Sequence, residues 1–237
     1  LSSASAGAFN QYYEHDIDPL MSRTRKRVFA TGEVAHGPIW LVVIVGLMAL
    51  SVMAAWLALN AWSALFVFLG AFFYAIVYTV WLKRRTWLNI VFGGLAGSWA
   101  VLAGATAAAP DIGALPLALA FILFLWTPPH FWSLAIAFRD DYAAAKVPML
   151  PVVVGDKRAA QTVFASTIAL VAVSLLPAIL GLGSIYLAGA CIGGAWFIYK
   201  AWHLSRNPTR ATAMSCFHAS LAQLTLVLTA AIIDARF

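Results

Sequence analysis

Charge is what this sequence has least of. Asp, Glu, Lys and Arg make up 10% of its 237 residues against 63% hydrophobic ones, and charge that scarce cannot cover the surface of an ordinary soluble domain. Cysteine is nearly missing too: Cys191 and Cys216 both lie in apolar stretches, and no C-x-x-C-H offers covalent attachment of haem. There is no internal repeat, low-complexity tract or signal-peptide architecture. The sequence opens on Leu rather than Met, and residues 1–13 are too short an apolar run to span alone, so they read as the tail of a longer helix. What remains is a polytopic membrane protein.

Apolar runs long enough to cross a hydrocarbon core of about 30 Å as helices lie at 39–59, 61–82, 89–109, 114–138, 160–182, 184–202 and 215–233. These predict seven complete spans. Numbering the connections sorts the basic residues onto one side: Arg23, Arg25, Lys26 and Arg27 before the first span; Lys83, Arg84 and Arg85 after the second; Arg139, Lys146, Lys157 and Arg158 after the fourth; Lys200, Arg206 and Arg210 around the last connection. Only Arg236 falls opposite. By the positive-inside rule that face is cytoplasmic, or on the matrix side of a mitochondrial membrane. The net charge of +6 then calls for no nucleic acid, since orientation and anionic membrane lipid account for most of it.

Acids follow no such rule, yet Glu14, Asp16, Asp18, Glu33, Asp140, Asp141 and Asp156 share the basic face, leaving Asp111 and Asp234 outside it. Solvated loops with weak surface ion pairs suffice for Glu33, Asp156 and Asp111. They fit the opening cluster "NQYYEHDIDPLMSRTRKR", residues 10–27, poorly. Asn10, Glu14 and Asp18 are spaced i, i+4, i+8, which stacks them on one helical stripe, and Pro19 should end that helix near Asp18. An all-oxygen ladder suits Mg²⁺, which binds through one or two carboxylates plus substrate phosphates. On a straight helix Asn10 and Asp18 would sit about 12 Å apart, too far for one ion. Several ions sharing a diphosphate, or a bend at the helix end, would close the gap. The nearby Arg and Lys clusters offer donors to phosphate oxygens.

The stretch "FLWTPPHFWSLAIAFRDDYAAAKVPMLPVVVG", residues 124–155, carries Pro128 and Pro129 inside a span. These break the hydrogen-bond ladder, which a membrane tolerates only where neighbours, waters or a cavity satisfy the freed carbonyls. His130 follows at once. It has two readings: a hydrogen bond within the helix bundle, or a contact to a substrate such as haem. Asp140, Asp141, Tyr142 and Lys146 form a second polar cluster where the span ends.

Four motifs, "NQYYEHDIDPLMSRTRKR", "YTVWLKRRTWLNIVFGG" at 78–94, "WTPPHFW" at 126–132 and "DYAAAKVPMLPVV" at 141–153, together resemble the protohaem IX farnesyltransferase (haem O synthase) branch of the UbiA-type intramembrane prenyltransferases. The likeness runs in order along essentially the whole chain. It implies an all-α polytopic fold, a ring of nine transmembrane helices around a central cavity, with residues 1–237 forming one integral-membrane domain that lacks the first helix and most of the second. It implies transfer of farnesyl from farnesyl diphosphate to a vinyl group of protohaem IX, with Mg²⁺ and addition of water, in a bacterial inner membrane or a mitochondrial inner membrane. A haem A synthase is a candidate protein partner.

Roles carried over by the resemblance are these. Asn10, Glu14, Asp16 and Asp18 hold Mg²⁺ with the diphosphate; Arg23, Arg27, Lys83 and Arg84, with Arg85, meet its oxygens; Asp141, Tyr142 and Lys146 line a second polar wall; His130 contacts haem. Glu14 departs from the family, which usually has Asp there. Two rivals stay open. Another UbiA-type enzyme acting on a hydroxybenzoate or quinone precursor would share the acid ladder, and an ion-coupled transporter would share broken helices with polar groups.

Overall fold

The structure, a computed structural model, describes residues 1–235, so Arg236 lies outside the described residues. Every regular element among them is helical. In chain order they are α1 (Ser2–Tyr13), a 3-10 turn (Asp18–Leu20), α2 (Val28–Thr31), α3 (Pro38–Ala58), α4 (Ala61–Phe72) running on as a wider coil (Phe73–Leu82), α5 (Asn89–Gly93) and α6 (Leu95–Ala108). There follow α7 (Ala114–Ala137), α8 (Arg139–Ala144), α9 (Leu150–Val154), α10 (Asp156–Val173), α11 (Leu176–Ile179), α12 (Ser184–Arg206) and α13 (Arg210–Asp234).

Six stretches are long and apolar enough to cross a membrane: Pro38–Ala58, Ala61–Leu82, Asn89–Ala108, Ala114–Ala137, Asp156–Ile179 and Arg210–Asp234. Large apolar side chains such as Val42, Leu57 and Ile179 point outward from them, as expected where the surrounding solvent is hydrocarbon. The seventh expected span, 184–202, forms as α12, a helix of spanning length. It falls short of the other six in apolarity, because glycines and tyrosines dilute it and Lys200, His203 and Arg206 occupy its last turns.

The chain packs as two compact units, residues 1–112 with 140–148, and residues 113–139 with 149–237. In the first, α4 begins with Asn60, whose side chain accepts from Ser63 N at 2.9 Å and donates to Thr106 O at 2.7 Å. One residue thus caps α4 and ties it to the end of α6.

In the second unit, Pro128 and Pro129 leave α7 unbroken from Ala114 to Ala137. Pro177 is less benign, and the span 156–179 parts into α10 and α11 around Ser174 and Leu175. The Ser174 carbonyl exposed by that break is taken by the Tyr186 hydroxyl at 2.8 Å, as a buried backbone acceptor requires. At the start of α12, the Asp234 carboxylate accepts from the amides of Gly183, Ile185 and Tyr186. Its position away from the other acids therefore has a structural cause: an anion on a helix N-terminus.

Candidate active site

Asn10, Glu14 and Asp18 converge on Arg27. α1 stops at Tyr13, short of the end expected at Asp18, and the chain winds on in tight turns, with Ile17 N and Asp18 N both donating to Glu14 O at 3.0 and 2.9 Å. Pro19 sits in the following 3-10 turn. This winding turns inward two residues that a straight helix would hold about 12 Å apart. The Thr24 hydroxyl donates to Asp18 O at 3.0 Å and folds the loop back. Arg27 Nη1 then donates to both Asp18 carboxylate oxygens at 3.0 Å and to Asn10 Oδ1 at 3.2 Å, with Glu14 Oε2 at 3.8 Å.

Lys83 completes the group. Over Phe73–Leu82 the helix widens, so that Lys83 N and Thr79 Oγ1 donate to carbonyls five residues back, Tyr78 O at 2.9 Å and Tyr74 O at 2.8 Å. Such widening rotates everything after it. Lys83 Nζ lies 2.5 Å from both Glu14 oxygens and donates to Oε2. Thr79 Oγ1 accepts from Asn10 Nδ2 at 3.2 Å, and Asn89 Nδ2 pins the loop after Lys83 through Thr86 O at 2.7 Å. Glu14 is 0% exposed, Asp18 1%, Asn10 2% and Lys83 7%. Burial lowers the Lys83 pKa below its usual 10.5, against the opposing pull of Glu14.

Other expected site residues stand apart from this group. Asp16 is exposed and forms a two-pronged pair with Arg84, Nη1 to Oδ2 at 2.8 Å and Nη2 to Oδ1 at 2.7 Å. The hydrogen bond from Arg84 holds the Asp16 carboxyl below its usual 3.8. Arg85 is exposed. Asp141 Oδ2 accepts from the amide and hydroxyl of Ser22, which docks α8 on the Arg-rich loop. Arg23 reaches the Tyr142 hydroxyl at 3.5 Å, a long contact, and burial raises the Tyr142 pKa against the pull of Arg23. Lys146 is exposed and takes a left-handed φ of 55° at the turn after α8.

The first unit also holds an apolar cavity of about 660 Å³ between α1, α4 and α6. Small residues, including Ala6, Gly7, Gly70, Gly97 and Ala100, make the room, and Tyr74 stands on its wall. Gly7 precedes Asn10 by less than one helical turn, so the cavity and Asn10 share α1, and Glu14 follows at that helix's end.

In the second unit His130 is buried on α7, with Nδ1 2.7 Å from Ser220 Oγ of α13. Trp126 stacks on it and donates Nε1 to Ser220 O at 2.8 Å. Neither Ser220 nor Thr79 is legible as a site residue from sequence. Thr79 lies inside a quoted motif but carries no charge, and Ser220 is ninety residues from its partner.

Chemically, the Asn10 group offers three oxygen donors and two cations in a nearly dry site. Glu14 Oε1, though 2.5 Å from Lys83 Nζ, lies off the donor direction and has no aligned hydrogen bond. A sealed carboxylate oxygen with spare acceptor capacity, beside a second buried carboxylate, fits a hard divalent cation.

Buried carboxylates beside two cations, one of them at the end of the candidate span Ala61–Leu82, with an apolar cavity against α1, suit an integral-membrane enzyme that handles a diphosphate on an apolar chain. The chain belongs to the UbiA prenyltransferase family, whose model matches residues 1–226. It is 59% identical over 234 residues to a protein of Paramagnetospirillum magneticum named protoheme IX farnesyltransferase 2, covering 99% of this chain and 81% of that one. The fold superposes on the apo structure of a UbiA homolog from Aeropyrum pernix with a TM-score of 0.75 at 21% identity, covering 99% of this chain and 86% of the other. A UbiA homolog from Archaeoglobus fulgidus bound to DMAPP and Mg²⁺ gives 0.70 at 15% identity, covering 98% and 84%.

Proposed function

We propose that this chain transfers the farnesyl group of farnesyl diphosphate to a vinyl group of protohaem IX, with addition of water, giving haem O and diphosphate. The observation that carries the reading is the buried meeting of Asn10, Glu14 and Asp18 with Arg27 and Lys83. The name of the Paramagnetospirillum relative supports the acceptor, and the diphosphate and Mg²⁺ in the Archaeoglobus homolog support the donor.

Asn10, Glu14 and Asp18 would hold Mg²⁺, which supplies charge neutralisation to the departing diphosphate. Arg27 and Lys83 would donate to diphosphate oxygens as negative charge gathers there, the electrostatic term that dominates such chemistry. The allylic C–O bond breaks, the vinyl carbon bonds to the farnesyl carbon, and water adds to the resulting cation with loss of a proton. The cavity walled by Tyr74 holds the apolar tail and keeps water from capturing the farnesyl cation early. Its volume lies within the usual range of ligand cavities.

Residues 1–237 act as one catalytic domain in this reading. The protein sits in a bacterial inner membrane with its charged loops toward the cytoplasm, and a haem A synthase is the partner its product calls for. Membranes carrying the protein, given protohaem, farnesyl diphosphate and Mg²⁺, should yield a haem with a hydroxyethylfarnesyl addition by mass spectrometry. An Asp18→Ala variant should not. Unchanged haem together with prenylation of a phenolic acceptor would move the protein to another branch of the family.

A further inference from the structure

Two hollows adjoin between α12 and α13, and neither serves the diphosphate chemistry. One is an open apolar furrow walled by Ile192, Ala195, Trp196 and Tyr199 of α12 and by Leu226 of α13. The other is a polar pocket of about 200 Å³ formed by Tyr199, Lys200 and His203 of α12 with Thr212 and Ser215 of α13. Tyr199 borders both. The two helices run antiparallel, with Gly189 against Leu226 and Ala230, and Gly193 against Gln223. On α12, Ile192, Trp196, Tyr199 and His203 recur at helical spacing on one stripe, and on α13 Leu226, Ser215 and Thr212 do the same. Both stripes therefore pass from apolar to polar in the same direction, toward the connection that carries Arg206 and Arg210. Ile192 stands about 12 Å along the axis from Lys200.

The charge in the pocket is unanswered. Lys200 Nζ rests over the rings of Trp196 at 4.5 Å and Tyr199 at 5.5 Å, and His203 meets Tyr199 edge-on at 4.5 Å. Among the described residues no carboxylate pairs with Lys200, Arg206 or Arg210. Of the acids in this unit, Asp156 pairs with Arg139, and Asp234 sits at the opposite end of α12. The Thr212 hydroxyl is engaged in capping α13, whereas the Ser215 side chain makes no hydrogen bond among the described residues.

We propose that this hollow binds one anionic phospholipid, its phosphate on Lys200, His203 and Ser215 and an acyl chain along Trp196, Ile192 and Leu226. A basic pocket between helices at their charged end is complementary to an anionic headgroup. A zwitterionic lipid brings its own cation, which the unpaired Lys200 repels. A free phosphate would fill the pocket and leave the furrow open. A partner helix would have to carry a carboxylate to the edge of the hydrocarbon, where the bilayer already supplies phosphate.

The test strips the purified protein of lipid in detergent and counts retained lipid by native mass spectrometry during titration with phosphatidylglycerol, phosphatidylcholine or inorganic phosphate. The wild type should hold one phosphatidylglycerol about fivefold or more tightly than phosphatidylcholine. Phosphatidylglycerol brominated on its acyl chains should quench a component of the fluorescence that Trp196→Phe removes. Lys200→Gln should weaken retention about fivefold, the effect of one basic residue at an anionic surface, while Lys157→Gln, an exposed cation on α10, leaves it unchanged. Ala195→Trp fills the furrow and keeps every charge, so it should weaken retention as much as Lys200→Gln. Ala195 is exposed, and an unfolding temperature equal to wild type without lipid shows that the variant folds. Equal retention of the two lipids, or equal losses from Lys200→Gln and Lys157→Gln, overturns the proposal. So does binding that survives Ala195→Trp and is displaced by inorganic phosphate. A cross-linker placed at Ala195 that captures a polypeptide in native membranes, with no lipid retained, also overturns it and gives the hollow to a protein partner.

Discussion

Lys83 Nζ lies 2.5 Å from both carboxylate oxygens of Glu14, in a pair with 9% and 0% of the side chains exposed. Removing one member of such a pair strands the other as a buried charge, at a cost of about 3–5 kcal/mol. Lys83→Met should therefore lower thermal stability as well as activity, whereas Lys83→Met combined with Glu14→Gln should recover part of the stability and none of the activity. Unfolding temperatures in detergent, read beside haem farnesylation, separate the two effects. Equal stability of the single and double variants would show that the pair is not coupled.

Glu14→Asp keeps the carboxylate and shortens the side chain by one methylene. The cluster predicts that a carboxylate is essential and its exact reach is not, because Arg27 already stands 3.8 Å from Glu14 and can follow it. Activity of Glu14→Asp should stay within about tenfold of wild type, while Glu14→Gln should fall by roughly a hundredfold or more, as when an electrostatic partner of a transition state is removed. Loss of the same size in both would mean that geometry, not charge, is what Glu14 supplies.

Asp16 and Arg84 pair at the exposed end of the same loop. An ion pair open to water contributes at most about 1 kcal/mol, and the guanidinium already satisfies both Asp16 oxygens. Asp16→Asn should thus retain most of the activity that Asp18→Asn loses. Steady-state kinetics over a Mg²⁺ titration checks it: an apparent Mg²⁺ affinity reduced as much by Asp16→Asn as by Asp18→Asn would return Asp16 to the metal set.

The spans were legible because a run of about twenty apolar residues has few other uses, and the i, i+4, i+8 spacing correctly put Asn10, Glu14 and Asp18 together. Their convergence on Arg27 was not legible. It depends on α1 ending at Tyr13 and on the Thr24 hydrogen bond to Asp18 O, choices made by tertiary contacts that periodicity does not carry. The pairing of Lys83 with Glu14, and of Arg84 with Asp16, was equally hidden. Adjacent cations are told apart only by the widened coil over Phe73–Leu82, which no propensity scale distinguishes from an ordinary helix. α12 shows the opposite failure: the apolar run stops at Trp202, while the helix continues through His203 to Arg206, because a polar last turn that leaves the hydrocarbon carries no apolar signal.

Gly93 tests that widened coil directly. A methyl group built there would fall 2.9 Å from Tyr78 Cδ2 and 3.3 Å from Tyr78 Cβ, so the obstruction is the root of the ring and not a movable tip. Tyr78 is also the residue whose carbonyl accepts from Lys83 N. Gly93→Ala should displace Tyr78, lower stability by about 1–3 kcal/mol as overpacking does, and reduce activity through Lys83. Gly93→Ala combined with Tyr78→Ala should relieve the clash, and thermal unfolding of the pair shows whether it does.

The pH dependence follows from Lys83. Burial lowers its pKa below 10.5, so the ammonium that would face the diphosphate is lost as pH rises through that lowered value, earlier than for an exposed lysine. Between the folded and unfolded values the unfolded chain binds more protons, so this group's contribution to stability increases with pH while activity falls. The alkaline loss of farnesyl transfer should therefore precede unfolding and reverse on returning to neutral pH. Lys83→Arg, whose guanidinium keeps its proton throughout, should move the loss to higher pH. Profiles of kcat/KM for farnesyl diphosphate between pH 7 and about pH 11, with circular dichroism at each point, decide it. An alkaline limb identical in the two proteins would assign the loss to a group other than Lys83.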